Sequence, residues 1–244
     1  MPVFATNLKA LPEIFHAFGI VDDCDKPGNL FYCAQQNGST VIELANGEKA
    51  GVIAGDAIFT RTTQPIAVIT ADCLPILLSS TESRFVAAIH GGWQGLAGGI
   101  IENSFNSFRS AGVSLDSLRI AIGPAIQPCC YEIGLNLVEK IESVHGHLWR
   151  GKVAPWSASR RKFVQAISSC KAPVSNNEAW LNLVLYCFYL LEAAGVDVAS
   201  VQAAETCTYC AGPRWGSYRR RTHQGGEKTF QYSWIGLQKG DSED

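Results

Sequence analysis

The chain has 244 residues, of which 47% are hydrophobic and 17% charged, and this composition predicts a folded protein rather than a disordered one. Its 20 basic and 22 acidic residues give a formal net charge of −2, so it lacks the positive excess with which proteins hold nucleic acid or an anionic membrane. The sequence shows no signal-peptide pattern and no apolar run of about 18 residues, which favours the cytoplasm. The nine cysteines are an odd number in a large chain, and most are expected to be reduced thiols.

Short apolar runs predict the strands, which we place at residues 65–70, 74–79, 84–90, 118–122, 199–206 and 229–237. Longer segments have helical patterns, at residues 93–108, 134–144 and 177–194. Residues 145–175 are predicted to be an irregular surface segment. The alternation predicts an α/β (or α+β) fold, with one domain over residues 1–244 and a mixed sheet flanked by helices.

Two potential metal ligands lie beside predicted strands. Cys73 lies between two strands, and His90 ends a third, before two glycines. Open α/β sheets tend to place their ligands at the carboxyl ends of strands, and thiolate and imidazole both bind zinc or copper well. Taken alone, the pair also fits a buried thiol and a hydrogen-bonded histidine at a strand end.

The residues around this pair form a series of motifs. Thr70-Ala71-Asp72-Cys73-Leu74-Pro75 resembles the T-A-D-C-x-P segment of the multicopper-oxidase-like laccase-domain family, also known as the peptidoglycan editing factor or polyphenol oxidase family. Further segments resemble motifs of that family and follow in the same order. Residues 90–95, H-G-G-W-Q-G, are similar to its H-A-G-W-R-G, and residues 131–134, Y-E-I-G, to its Y-E-V-G. The chain also has the family's I-G-P-x-I at 122–126, C-T at 207–208 and S-Y-R-R at 217–220. The resemblance covers roughly residues 35 to 237.

This resemblance implies a compact α/β fold similar to that of the cytotoxic necrotising factor. It also implies one transition metal, zinc or copper, bound by the histidine of a Q-x-H-G segment together with Cys73 and His90. The implied activity is phosphorolysis of adenosine, inosine and methylthioadenosine, with deamination of adenosine, so that purine nucleoside and phosphate are the expected partners. Phosphorolysis needs an anion clamp, for which Arg219 and Arg220 are the candidates beside Cys73 and His90.

The chain departs from the family pattern at several positions. Asn37 stands where the Q-x-H-G segment has its histidine, and an amide oxygen is a poor ligand for zinc or copper. Gln94 replaces an arginine and Asn182 an aspartate. We therefore expect less than one equivalent of metal and an impaired activity. Side chains that could replace the missing ligand are Cys33, His145, His147 and His223.

Two other functions fit the same residues. In one, Cys73 is a nucleophile activated by His90 and hydrolyses an amide without a metal. In the other, the chain is a non-catalytic member of the family that binds a nucleotide or a protein.

The remaining cysteines do not predict a second metal site. Cys207 and Cys210 form a C-x-x-C pair, but one such pair without a second is not a structural zinc site. Cys129 and Cys130 are predicted to be core residues.

Overall fold

A computed structural model describes residues 1–45, 48–160, 172–173 and 179–239. The strands are β1 Ile14–Phe18, β2 Val41–Glu43, β3 Ala57–Thr60, β4 Ile66–Thr70, β5 Leu74–Ser80, β6 Val86–Gly91, β7 Leu118–Ile122, β8 Glu132–Ile133, β9 Trp156–Ser157, β10 Ala179–Leu181, β11 Val201–Ala203 and β12 Gln231–Leu237. The α-helices are α1 Thr6–Lys9, α2 Trp93–Ala97, α3 Ile100–Ser110, α4 Leu135–His145, α5 Leu183–Ala193 and α6 Tyr218–Gln224.

The largest sheet is mixed and has the strand order β11-β7-β5-β6-β3-β2. Its outer pairs, β11 with β7 and β2 with β3, are parallel, and the inner pairs are antiparallel. In the central pair Pro75 lies opposite His90. Because Cys73 directly precedes β5, this register brings Cys73 and His90 to the same edge of the sheet.

The central strands β5 and β6 are buried along their whole length because both faces of the sheet are covered. On β5, Leu74, Ile76 and Leu78 pack into the larger core cluster with the helices, whereas Leu77 points into a second cluster. The second cluster includes Ile235 of the three-stranded antiparallel sheet β1-β12-β4. This alternation follows the two-residue period of a strand, so the sheet forms the middle layer of the fold.

The predicted α/β fold with a mixed sheet flanked by helices is confirmed, and the predicted strands are confirmed to within a few residues at their ends. Two predicted helices were partly wrong. The segment 93–108 contains two helices, α2 and α3, because Gly99 lies between them in a left-handed conformation with φ 87°. The segment 177–194 begins with β10, which pairs with β8 and β9, and Asn182 then caps α5.

Of the segment 145–175, predicted to be irregular, residues 161–171 and 174–175 lie outside the described residues. The described part holds a 3-10 helix, Gly146–Trp149, and the short strand β9, so it is only partly irregular. Within the described part of the chain, no helix has the length and apolarity required to span a membrane.

Candidate active site

Asp72 connects three of the sequence motifs. It adopts a left-handed backbone with φ 90° in the turn between β4 and β5. Its buried carboxylate accepts hydrogen bonds from Thr208 Oγ1 at 2.6 Å, Ser217 Oγ at 3.0 Å and the backbone N–H of Arg219 at 2.7 Å. Burial raises the pKa of Asp72, and these three hydrogen bonds oppose the rise. The carboxylate therefore holds the C-T and S-Y-R-R segments against the turn that carries Cys73.

His90 is oriented by a buried carboxylate. Its Nδ1 lies 2.8 Å from Oδ1 of Asp56, and both side chains are almost completely buried. Burial lowers the pKa of His90, but the neighbouring Cys73 and Asp56 outweigh burial and raise this pKa to about 9. With Nδ1 committed to Asp56, Nε2 is the ring nitrogen left for the cavity.

Asp56 also shapes the turn that carries Asn37. Its two oxygens accept the backbone N–H groups of Gln36, Asn37 and Gly38 at 3.1, 3.0 and 2.8 Å. Burial raises the pKa of Asp56, but the hydrogen bonds from His90 and this turn hold it below its usual value. Asn37 adopts φ 57°, a left-handed conformation that asparagine tolerates better than most residues.

The side chains of Asn37, Cys73 and His90 converge at Gly92. A Cβ atom placed on Gly92 would lie 3.0 Å from Asn37 Oδ1, 3.2 Å from Cys73 Sγ and 3.7 Å from His90 Cε1. The thiol of Cys73 is also hydrogen-bonded to the imidazole of His90. Glycine at position 92 therefore leaves the space in which the three side chains meet.

These side chains line a cavity of about 880 Å³. Its walls are rich in aromatic side chains, which belong to Tyr32, Trp93, Tyr131, Tyr218 and Phe230. Arg219 and the exposed Lys228 supply positive charge. The cavity thus combines flat apolar surfaces with cationic groups.

The two candidate arginines have different surroundings. Arg219 lines the cavity, donates from Nη1 to the carbonyl of Glu132 at 2.7 Å and lies over the ring of Tyr131, 5.4 Å from its centroid. Arg220 is not among the lining residues, and its guanidinium donates to three backbone carbonyls, those of Thr208, Tyr209 and Trp215. Arg219 is thus the better placed of the two to meet a ligand.

The substituted positions also have clear locations. Gln94 lines the cavity, and Asn182 caps α5 by accepting the backbone N–H of Leu185 at 3.0 Å. Cys33 lines the cavity, and burial, together with the charge of Asp56, raises the pKa of its thiol to about 12. The histidines considered as replacement ligands do not line it: His145, His147 and His223.

The donor set in the cavity does not suit a tightly held metal. Cys73 and His90 are strong ligands, but the third donor is the amide oxygen of Asn37, which competes poorly for zinc or copper. Among the described residues, a group of side chains that could hold a metal ion lies outside the cavity. Its four sulfur atoms are within 4.8 Å of one another and belong to Cys129, Cys130, Cys207 and Cys210. The C-x-x-C pair therefore has a second pair of thiols beside it, Cys129 and Cys130, which sequence spacing did not indicate.

Sequence reasoning overlooked Asp56. The available signal was a single carboxylate placed directly between Gly55 and the apolar strand β3. A charged residue at the start of a buried strand needs a partner, and here the partner is His90.

Comparisons with known proteins identify relatives over most of the chain. Residues 20–237 match the model of a family described as multi-copper polyphenol oxidoreductase laccase. A purine nucleoside phosphorylase of Pseudomonas aeruginosa is 30% identical over 192 residues, which are 78% of this chain and 69% of the relative. The adenosine deaminase RL5, from an unknown prokaryotic organism, is 28% identical over 174 residues, 71% of this chain and 60% of the relative. The crystal structure of YlmD from Geobacillus stearothermophilus, 23% identical, superposes with a TM-score of 0.71 over 86% of this chain and 74% of that one.

Proposed function

The chain belongs to the multi-copper polyphenol oxidoreductase laccase family, and on that premise we propose that it is a purine nucleoside phosphorylase. The expected substrates are adenosine, inosine and methylthioadenosine, with inorganic phosphate as the second substrate. The observation that carries the proposal is the cavity at Cys73 and His90, which offers aromatic walls beside a fixed arginine.

The aromatic walls suit the purine. Offset stacking on Trp93 or Tyr131 would bury one face of the base, and the cavity volume of about 880 Å³ lies in the range that small-molecule sites occupy. The amide of Asn37 can both donate and accept hydrogen bonds, as the edge of a purine requires.

The cationic groups suit the phosphate. The guanidinium of Arg219 is positioned by its bond to the Glu132 carbonyl and can donate further hydrogen bonds to an anion. In phosphorolysis a phosphate oxygen forms a bond to C1′ of the ribose, the bond from C1′ to the purine nitrogen breaks, and its electron pair leaves with the base. The raised pKa of His90 keeps its imidazole protonated at neutral pH, and this positive charge would stabilise the departing purine.

The metal binding that the family resemblance implies is expected to be weakened here. A metal in this cavity would be held by Cys73 and His90, with Asn37 in the third position, and this set does not suit tight binding. Deamination of adenosine needs an activated water, whereas phosphorolysis takes its nucleophile from solution. We therefore expect phosphorolysis to exceed deamination.

The test is phosphate-dependent release of adenine from adenosine, with inosine formation measured in the same samples. Arg219→Gln should raise the KM for phosphate roughly 10- to 100-fold, the loss expected for a hydrogen bond to a charged group. Arg221→Gln removes an equal charge from the same helix at a residue outside the cavity lining, and should leave that KM unchanged. Purine release that does not depend on phosphate would contradict the proposal.

One observation favours a second candidate, a cysteine amide hydrolase. Asp56, His90 and Cys73 form a continuous hydrogen-bonded series, an arrangement that can activate a thiol. Iodoacetamide modification of Cys73 would then abolish amide hydrolysis, and no nucleoside would be cleaved. If the chain binds adenosine but turns over neither substrate class, it is a non-catalytic member of the family.

A further inference from the structure

Four of the cysteines that do not line the cavity lie in two turns that the sheet brings together. Cys129 and Cys130 follow β7, and Cys207 and Cys210 follow β11. These two strands are parallel neighbours, so the segments that leave them emerge at the same edge. Backbone hydrogen bonds then pair the segments, with Ala125 bonded to Thr206 at 3.3 Å and to Thr208 at 3.1 Å.

The geometry of the four sulfur atoms resembles a tetrathiolate. The Sγ atoms of Cys129 and Cys130 are 3.6 Å apart, those of Cys129 and Cys210 are 4.0 Å apart, and those of Cys130 and Cys210 are 3.2 Å apart. All four lie within 4.8 Å of one another. Four thiolates at 2.3 Å from a tetrahedral zinc ion lie about 3.8 Å from one another. The observed separations therefore surround the zinc value and exceed a disulfide bond of about 2.05 Å.

The surroundings also suit a metal ligated by thiolates. Backbone hydrogen bonds fix both turns, from the N–H of Cys130 to the carbonyl of Gln127 at 2.9 Å and from the N–H of Ala211 to the carbonyl of Cys207 at 2.9 Å, and such bonds orient metal ligands. The described neighbours of the sulfur atoms are largely apolar, with Ile126, Ala172 and Tyr209 in the same buried cluster. Apolar packing would keep water from the ion, as in closed structural sites.

We propose that Cys129, Cys130, Cys207 and Cys210 form a structural zinc site, separate from the cavity at Cys73 and His90. The site ties two segments that are remote in sequence. On one side Ile126 and Tyr131 line the cavity, and on the other Thr208 donates to Asp72. Zinc at this position holds the wall of the cavity in place without taking part in the reaction.

The test is the zinc content of protein purified without a metal-affinity tag, with variants that separate the two sites. We expect about one equivalent of zinc, retained in Cys73→Ser and lost in Cys210→Ser. Cys210→His keeps a ligand at the same position and should retain zinc. Loss of the ion should lower Tm by about 5 °C or more, since metal binding contributes directly to folding stability.

Two further measurements do not depend on a variant that folds. Cobalt added to the metal-free, unmodified chain should give the absorption of a tetrahedral thiolate site. Denatured, unreduced protein should titrate all nine thiols once zinc is chelated. A wild type that contains no zinc, a thiol count two lower than nine, or zinc lost from Cys73→Ser but kept in Cys210→Ser would overturn the proposal.

Discussion

Replacing Asn37 by histidine should create a third strong metal ligand in the cavity. The amide oxygen of Asn37 already lies at the point where Cys73 and His90 converge, and its position is held by a backbone bond to Asp56. Histidine is among the few residues that tolerate a left-handed backbone such as the φ of 57° at this position. The substitution therefore changes the donor and not the turn.

The expected gain follows from the ligand count. Structural zinc with four ligands binds with about 10 to 16 kcal/mol, so that one ligand contributes about 2.5 to 4 kcal/mol. Placing histidine in a left-handed conformation costs about 1 kcal/mol. The net gain of about 1.5 to 3 kcal/mol corresponds to roughly 10- to 150-fold tighter zinc binding.

The assay is competition with a chromophoric chelator, on protein whose four-cysteine site has first been saturated with zinc. In the control, Asn37→His combined with Cys73→Ser, the gain should disappear because a strong ligand is lost again. Deamination of adenosine should rise less clearly than zinc binding, since Gln94 still replaces a charged residue. If Asn37→His binds zinc no more tightly than the wild type, position 37 is not the vacant ligand position and the reasoning is refuted.

Three other changes test the surroundings of the site. Asp56→Asn places a side-chain N–H donor where the backbone N–H groups of the Asn37 turn need an acceptor. The free energy of unfolding, measured in urea, should fall by about 1 to 3 kcal/mol, and an unchanged value would contradict the role given to this carboxylate. Gly92→Ala, at an ordinary φ of −75°, should reduce nucleoside turnover with little change in Tm, because the new methyl group would press on Asn37 and Cys73; full activity would show that this space is not used. Burial lowers the pKa of His16 from 6.5 to about 4, and its Nε2 accepts the backbone N–H of Ala5, so the native state favours the neutral ring. The unfolded chain therefore takes up a proton first as pH falls from 6.5 toward 4, and about 2 kcal/mol of stability should be lost between pH 7.5 and pH 5. In His16→Gln this loss of unfolding free energy between pH 7.5 and pH 5 should disappear, as measured by urea titrations. An identical pH dependence in the wild type and the variant would contradict the role given to His16.

The sequence by itself determined the features that depend on local chemistry. Apolar runs with β-branched residues predicted the central strands, since a strand buried on both faces typically has a short, nearly continuous apolar sequence. The motif around Cys73 and the glycines after His90 located the site, because few residue types fit a tight turn at the end of a strand. The helix predicted over 93–108 failed at Gly99, whose φ of 87° ends a helical run that periodicity alone would continue.

The tertiary structure decided which distant side chains meet. Asp56 is 34 positions from His90, and only the antiparallel pairing of β3 with β6 brings the carboxylate to the imidazole. The parallel pairing of β7 with β11 likewise brings Cys130 within 3.2 Å of Cys210, across 80 positions of chain. Read in sequence, the C-x-x-C pair lacks a second pair, because sequence spacing carries no information about strand order. The physical reason is that strand order is set by the burial of whole sheet faces, a property summed over many residues and present in no single motif.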